Sequence, residues 1–129
     1  MRVLLVSRID NRDALAFTEQ ISAMLTKDGC DVILDRDTAS SLGAEGVPLA
    51  GAKADAVIVV GGDGTILRTV QQMDRPAPLL GVNWGEVGFL ADLEPSEALP
   101  FIRSLPRGFS IEERMRIELR KDGEVLGTA

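Results

Sequence analysis

The chain contains no histidine and a single cysteine, Cys30. Without histidine, the commonest metal ligand and general base is missing. One thiol can neither close an internal disulfide nor build a multi-thiolate zinc site. Proton transfer at neutral pH therefore falls to carboxylates, and no residue is singled out as a metal ligand. Long hydrophobic runs are also missing: nothing approaches the roughly 20 consecutive apolar residues of a bilayer crossing. The apolar start Val3-Leu4-Leu5-Val6 ends in Ser7-Arg8-Ile9-Asp10, too short for a secretory signal and without a cleavage pattern. A cytoplasmic location without a membrane partner is expected. Positive charge is scarce as well, with 14 Lys and Arg against 20 Asp and Glu and a net charge of -6. Such a surface repels a polyanion and argues against nucleic acid as a partner. A small anion stays compatible, because backbone dipoles act locally while distant charge is screened over about 10 Å.

What is present is a globular pattern: 129 residues, 45% of them hydrophobic, in segments of strand or helix length. Arg2–Ser7 reads as a buried strand. Asn11 or Asp13 then caps a helix whose apolar positions Ala14, Leu15, Phe17, Ile21, Met24 and Leu25 keep helical spacing until Gly29. Asp31–Leu34 gives a second strand. The stretch through Ser40, Ser41, Gly43, Gly46 and Gly51 has weak patterning and reads as loop with room for one short helix. Ala54–Val60 is a near-continuous apolar run, as expected of a strand buried on both faces of a parallel sheet. Thr65–Met73 reads as helix, Leu79–Val82 as strand, and Pro95–Leu99 as the start of a helix with Pro100 near its first turn. Pro106-Arg107-Gly108 closes that helix. Alternation of this kind predicts an α/β fold, an open and mostly parallel sheet of the Rossmann-like type flanked by helices. Near the C-terminus the period changes. Met115, Ile117 and Leu119 alternate with charged residues, and Asp122-Gly123 suits a tight turn, which predicts a β-hairpin. Residues 1–108 are thus expected to form the α/β domain and 109–129 the first strands of a β-rich second one, packed on the first, paired with another copy, or poorly ordered.

The chemistry is concentrated in Gly61-Gly62-Asp63-Gly64-Thr65, directly after the third strand. The dinucleotide pattern G-x-G-x-x-G is met at Gly62 and Gly64 and fails at Leu67. A P-loop is mimicked by Gly46 and Gly51, yet Ala52 intervenes before Lys53 and no hydroxyl follows. What remains is a strand end, a glycine turn and a helix start, which together attract phosphate through backbone N–H groups. Asp63 would repel that phosphate by a few kcal/mol at an effective dielectric of ~20 unless its carboxylate serves another atom. A carboxylate beside a phosphate site can accept the proton of an attacking hydroxyl while a divalent metal neutralises phosphate oxygens, which is kinase chemistry. The simpler alternative is that Asp63 only caps the helix. The second turn, Gly81 to Asp92, follows the next strand and is expected on the same side of the sheet. There Asn83 offers a polar contact and Phe89 or Trp84 a wall for a planar ligand, unless Phe89 belongs to the core beneath the turn.

ADAVIVVGGDGTILR followed by PLLGVNWGEVGFLAD closely resembles the NAD kinases, over Val3 to Ala129 and most specifically between Ala54 and Asp92. GGDGT alone is shared with lipid and sugar-phosphate kinases; the added G-x-N-x-G-x-x-G-F turn narrows the choice. The resemblance implies transfer of phosphate from ATP or polyphosphate, with a divalent metal such as Mg, to the adenosine 2′-hydroxyl of NAD. It makes Asp63 the proton acceptor, with Gly61, Gly62, Gly64, Thr65, Asn83 and Phe89 around the bound nucleotides and Phe89 along the adenosine. Arg68 resembles the basic residue facing the dinucleotide, the alternative being a solvated arginine. Trp84 stands where a small or hydroxyl residue is common, and Glu86 where a basic one is frequent. The family's Asn-Glu pair falls just beyond Thr128-Ala129, so residues 1–129 alone are expected to be inactive. Full-length members are homo-oligomers. Two other readings stay open: a different GGDGT kinase acting on a lipid or sugar phosphate, and a non-catalytic dinucleotide-binding module.

Overall fold

The structure is a computed structural model that describes residues 1–74, 77–84 and 93–104, together with the backbone of 117–118. Four apolar segments form parallel strands: β1 (Arg2–Ser7), β2 (Asp31–Leu34), β3 (Ala56–Gly61) and β4 (Pro78–Asn83). A fifth, β5 (Ile117–Glu118), pairs antiparallel with β4 through Pro78↔Glu118 and Leu79↔Ile117. The sheet order is β2-β1-β3-β4-β5. The predicted alternation is therefore realised, and the strand within the expected hairpin extends this same sheet; its turn at Asp122-Gly123 lies outside the described residues.

Strand alternation divides the interior into two cores. Val3 and Leu5 of β1 and Ile58 and Val60 of β3 share one cluster with Ala14, Phe17, Ile21 and Leu25 of helix α1 (Arg12–Lys27) and Ala98 and Ile102 of helix α4 (Pro95–Ser104). Leu4, Val6, Val57 and Val59 point the other way, to Ile66 and Val70 of helix α3 (Asp63–Gln72). Both faces of the sheet are covered, which is why β3 reads as an unbroken apolar run. The α1 stripe follows the expected spacing, and its cap is Asn11, whose side chain accepts from the Ala14 N–H at 2.9 Å.

One local expectation is filled in and two change. The weakly patterned stretch, read as loop with room for one short helix, holds helix α2 (Arg36–Leu42). Its inner face is made by Thr38 and Ala39, too small and polar for a hydrophobic stripe. A buried chain anchors it: the Ser7 N–H donates to Thr38 Oγ1 at 2.9 Å, and the Thr38 hydroxyl donates to Asp35, itself 3% exposed. Gly46 sits so close to α2 that a Cβ there would lie 2.7 Å from that of Ala39, so this glycine serves packing. Helix α3 begins at Asp63, two residues before the expected Thr65. Pro100 lies inside α4, beyond its first turn, while Pro95 takes the first helical position.

Candidate functional site

The chain leaves β1 in one direction to form β2 and returns across it to form β3, so the connections diverge beyond the carboxyl ends of β1 and β3. Open parallel sheets place ligands in the crevice that results. A cleft of about 320 Å³ lies there, lined by Arg8 and Asp10 after β1 and by Gly62, Gly64, Thr65 and Arg68 after β3. Parallel pairing brings these segments together, and the Arg8 N–H continues the ladder by donating to Val60 O at 2.8 Å.

Gly62 is the cap of α3 and makes no side-chain cap bond; Asp63, half-buried, is the first helical residue rather than the cap. The helical ladder begins with Ile66 N–H to Gly62 O at 3.1 Å. The N–H groups of Gly64 and Thr65 consequently have no acceptor within the helix, and they stand at its positive end. The glycines differ in purpose. A Cβ on Gly61 would lie 2.7 Å from Thr65 Oγ1 and 3.0 Å from Thr65 Cβ, so the close approach of strand and helix requires glycine. A Cβ on Gly62 or Gly64 would meet nothing within 4 Å, so it would enter the open space of the cleft. The packing of the fold does not demand glycine at those two positions.

Arg68, one turn further along α3, lines the same cleft and is held by Asp37 of α2 at 3.2 Å. Beneath it lies Asp35, whose carboxyl is pushed up mainly by burial, against the opposing pull of the Thr38 hydroxyl and the Arg68 charge. The carboxylate of Asp10 is held below the usual range, chiefly by its hydrogen bonds from Arg8.

The second turn leaves from the same end of the sheet, as expected, since Gly61 and Asn83 are register partners in β3 and β4. The Trp84 N–H donates to Gly61 O at 3.1 Å, and Trp84 O accepts from Arg8 Nη1 at 2.8 Å. The Trp84 ring packs against Phe17 with centroids 5.2 Å apart and joins the α1-side core rather than walling the cleft. Asn83 donates through Nδ2 to Glu94 at 2.8 Å, while its buried Oδ1 has no partner among the described residues. Of the sequence-derived candidates, the cleft unites Gly62, Gly64, Thr65 and Arg68; Gly61, Asp63 and Asn83 are not among the described residues that line it, and Phe89 and Glu86 lie outside the described residues. Arg8 and Asp10 were not singled out from the sequence. Their one signal is their place directly after a buried strand, and it becomes informative only when that strand is known to neighbour β3.

Among the described residues, no helix is long and apolar enough to cross a membrane. The family described as "ATP-NAD kinase N-terminal domain" matches residues 3–108. A protein named NAD kinase from Methanoregula boonei is 52% identical over the whole chain, and one from Methanoculleus marisnigri is 50% identical; the chain spans 48% of each. It therefore covers about half the length of these curated relatives. A crystal structure of an NAD kinase from Archaeoglobus fulgidus in complex with ATP superposes with a TM-score of 0.55 at 25% identity, over 83% of this chain and 38% of that one. Yeast NADH kinase complexed with NADH shares the fold, with a TM-score of 0.67 at 20% identity over 81% of this chain and 37% of that one.

Proposed function

The chain belongs to the NAD kinase family through its N-terminal domain, and from that premise we propose that the protein phosphorylates the adenosine 2′-hydroxyl of NAD, with ATP or polyphosphate as donor. One observation carries the reading: a glycine turn with a carboxylate opens α3 at the sheet's ligand-binding end, and the Trp84 N–H ties it to the start of the second turn. The N–H groups of Gly64 and Thr65 and the Arg68 guanidinium hold phosphate oxygens. Asp63, between the cleft-lining Gly62 and Gly64, accepts the hydroxyl proton as the ribose oxygen attacks the terminal phosphorus and the bond to the leaving phosphate breaks. Phe89 and the Asn83 carbonyl, an acceptor with spare capacity, contact the adenosine.

Among the described residues no group of three or more His, Cys, Asp or Glu side chains could hold a metal ion. The divalent metal of this reading, such as magnesium, would keep its waters and bind largely through substrate phosphates, neutralising their charge. The reading also carries a cytoplasmic location, a homo-oligomer at the length of the relatives, no nucleic-acid partner, and a division into residues 1–108 and a β-rich part from 109 onward.

The test is transfer of labelled terminal phosphate from ATP or polyphosphate to NAD by the protein at the length of its relatives. NADP is the expected product. Phosphorylation of a lipid or sugar instead, or NAD binding without turnover, would overturn the reading.

A further inference from the structure

Arg8 occupies a junction that the proposed reaction does not explain. Its Nε and Nη2 grip both oxygens of Asp10, at 2.7 and 2.9 Å, while Nη1 donates to Trp84 O at 2.8 Å. The guanidinium is thus fixed on one side by backbone from beyond β4 and presents its fork to a carboxylate in the wall of the cleft. The two grips differ in permanence. Trp84 is tied through its N–H to β3 and through its ring to α1, so its carbonyl is a rigid anchor. Asp10 is two residues from Arg8 and its side chain is 69% exposed, so the pair is local and water-screened, and such pairs stabilise little.

A carboxylate in a guanidinium fork makes the paired, parallel hydrogen bonds that a phosphate makes. Resting on the reading of this cleft as a phosphate site, we propose that Arg8 is a phosphate-binding residue and that Asp10 is its internal stand-in. The carboxylate keeps the fork oriented until a ligand phosphate takes its place. Arg8 after β1 and Arg68 in α3 then approach the phosphate from the two strands that bound the cleft, with the Gly64 and Thr65 N–H groups beside Arg68. Because Arg8 also holds Trp84 O, a phosphate in its fork is mechanically joined to the segment leading into the second turn.

The experiment is calorimetric titration of the protein, at the length of its relatives, with inorganic tripolyphosphate. Asp10→Asn removes the competing charge and is expected to tighten binding by ~3–10-fold, whereas Arg8→Gln weakens it by at least ~10-fold. Arg8→Lys falls between, since an ammonium cannot form the fork. Asp28→Asn removes an exposed carboxylate at the far end of α1 and controls for net charge; it is expected to change little. Unchanged or weaker binding by Asp10→Asn, equal tightening by Asp28→Asn, or full affinity in Arg8→Gln overturns the proposal. If Arg8→Gln does not fold, the other variants decide. The two readings separate cleanly. Tripolyphosphate binding in the expected order without NADP formation leaves this inference standing and removes the kinase, and NADP formation with Arg8 irrelevant to phosphate does the reverse.

Discussion

At the scale of single residues, Asp63, Gly64 and Gly61 of the glycine turn are expected to respond differently to substitution. Asp63 stands at the first position of α3, after the Gly62 cap, where a carboxylate also favours the helix dipole. In the protein at the length of its relatives, Asp63→Asn is expected to lower kcat by about 10²–10⁴-fold, the span for loss of a general base. Initial rates with NAD check it, and a fall below ~10-fold would reduce Asp63 to a shaping role. Gly64 and Gly61 should respond in opposite directions. Gly64→Ala adds a methyl where nothing lies within 4 Å and improves helix propensity, so thermal stability is expected to rise by up to ~0.5–1 kcal/mol. The same methyl intrudes on the ligand, and nucleotide affinity is expected to fall ~5–30-fold, the scale of forcing a methyl into filled space. Gly61→Ala collides with Thr65 and is expected to cost ~1–3 kcal/mol of stability. Paired thermal melts and binding titrations separate the two. The place of this turn between strand and helix was legible because its glycines follow an unmistakable buried strand; the difference among the glycines was not, since it depends on where the Thr65 side chain lies.

At the scale of elements, legibility followed hydrophobic contrast. The bounds of β1 and β2 were readable from their apolar runs, and the α1 stripe from its spacing. The position of helix α2 within its stretch was not readable because what fixes it is polar: Thr38 is held between the Ser7 N–H and Asp35, and a buried hydroxyl leaves no periodic signature. That network makes a pH-dependent prediction. Burial raises the Asp35 carboxyl above its ordinary value of 3.8. Below that value the group is protonated whether the chain is folded or not, and its contribution is fully present. As pH rises through the higher folded-state value, the unfolded chain ionises more readily and stability is lost. Asp35→Asn keeps an acceptor for the Thr38 hydroxyl and removes the titration. The melting temperature of the variant relative to the natural chain is expected to increase from pH 4 to pH 7. A constant difference would show that Asp35 ionises without penalty. Helix α3 was misjudged by two residues because glycine reads as turn, while at a cap and in a first turn it is compatible with helix.

At the scale of the molecule, the sheet is a partition between two cores, one on each of its faces. Ile58 of β3, fully buried, faces the α1 and α4 side, while its neighbours Val57 and Val59 face α3. Ile58→Ala is expected to cost ~2–5 kcal/mol, a large part of the ~5–15 kcal/mol that holds a domain together. Urea unfolding should show that loss at an unchanged slope. Strand class was readable from the α/β alternation, yet strand order was not, and order is what sets Arg8 and Asp10 opposite the glycine turn. The chain carries one tryptophan and no tyrosine. That indole rests on Phe17, while its own peptide group links β3 to Arg8. The only strong ultraviolet fluorophore in these 129 residues thus sits in the α1-side core and is joined through its own carbonyl to Arg8, which lines the cleft. If a phosphate takes the Arg8 fork as proposed, its emission is expected to shift on titration with tripolyphosphate, an optical gauge of occupancy that needs no added dye.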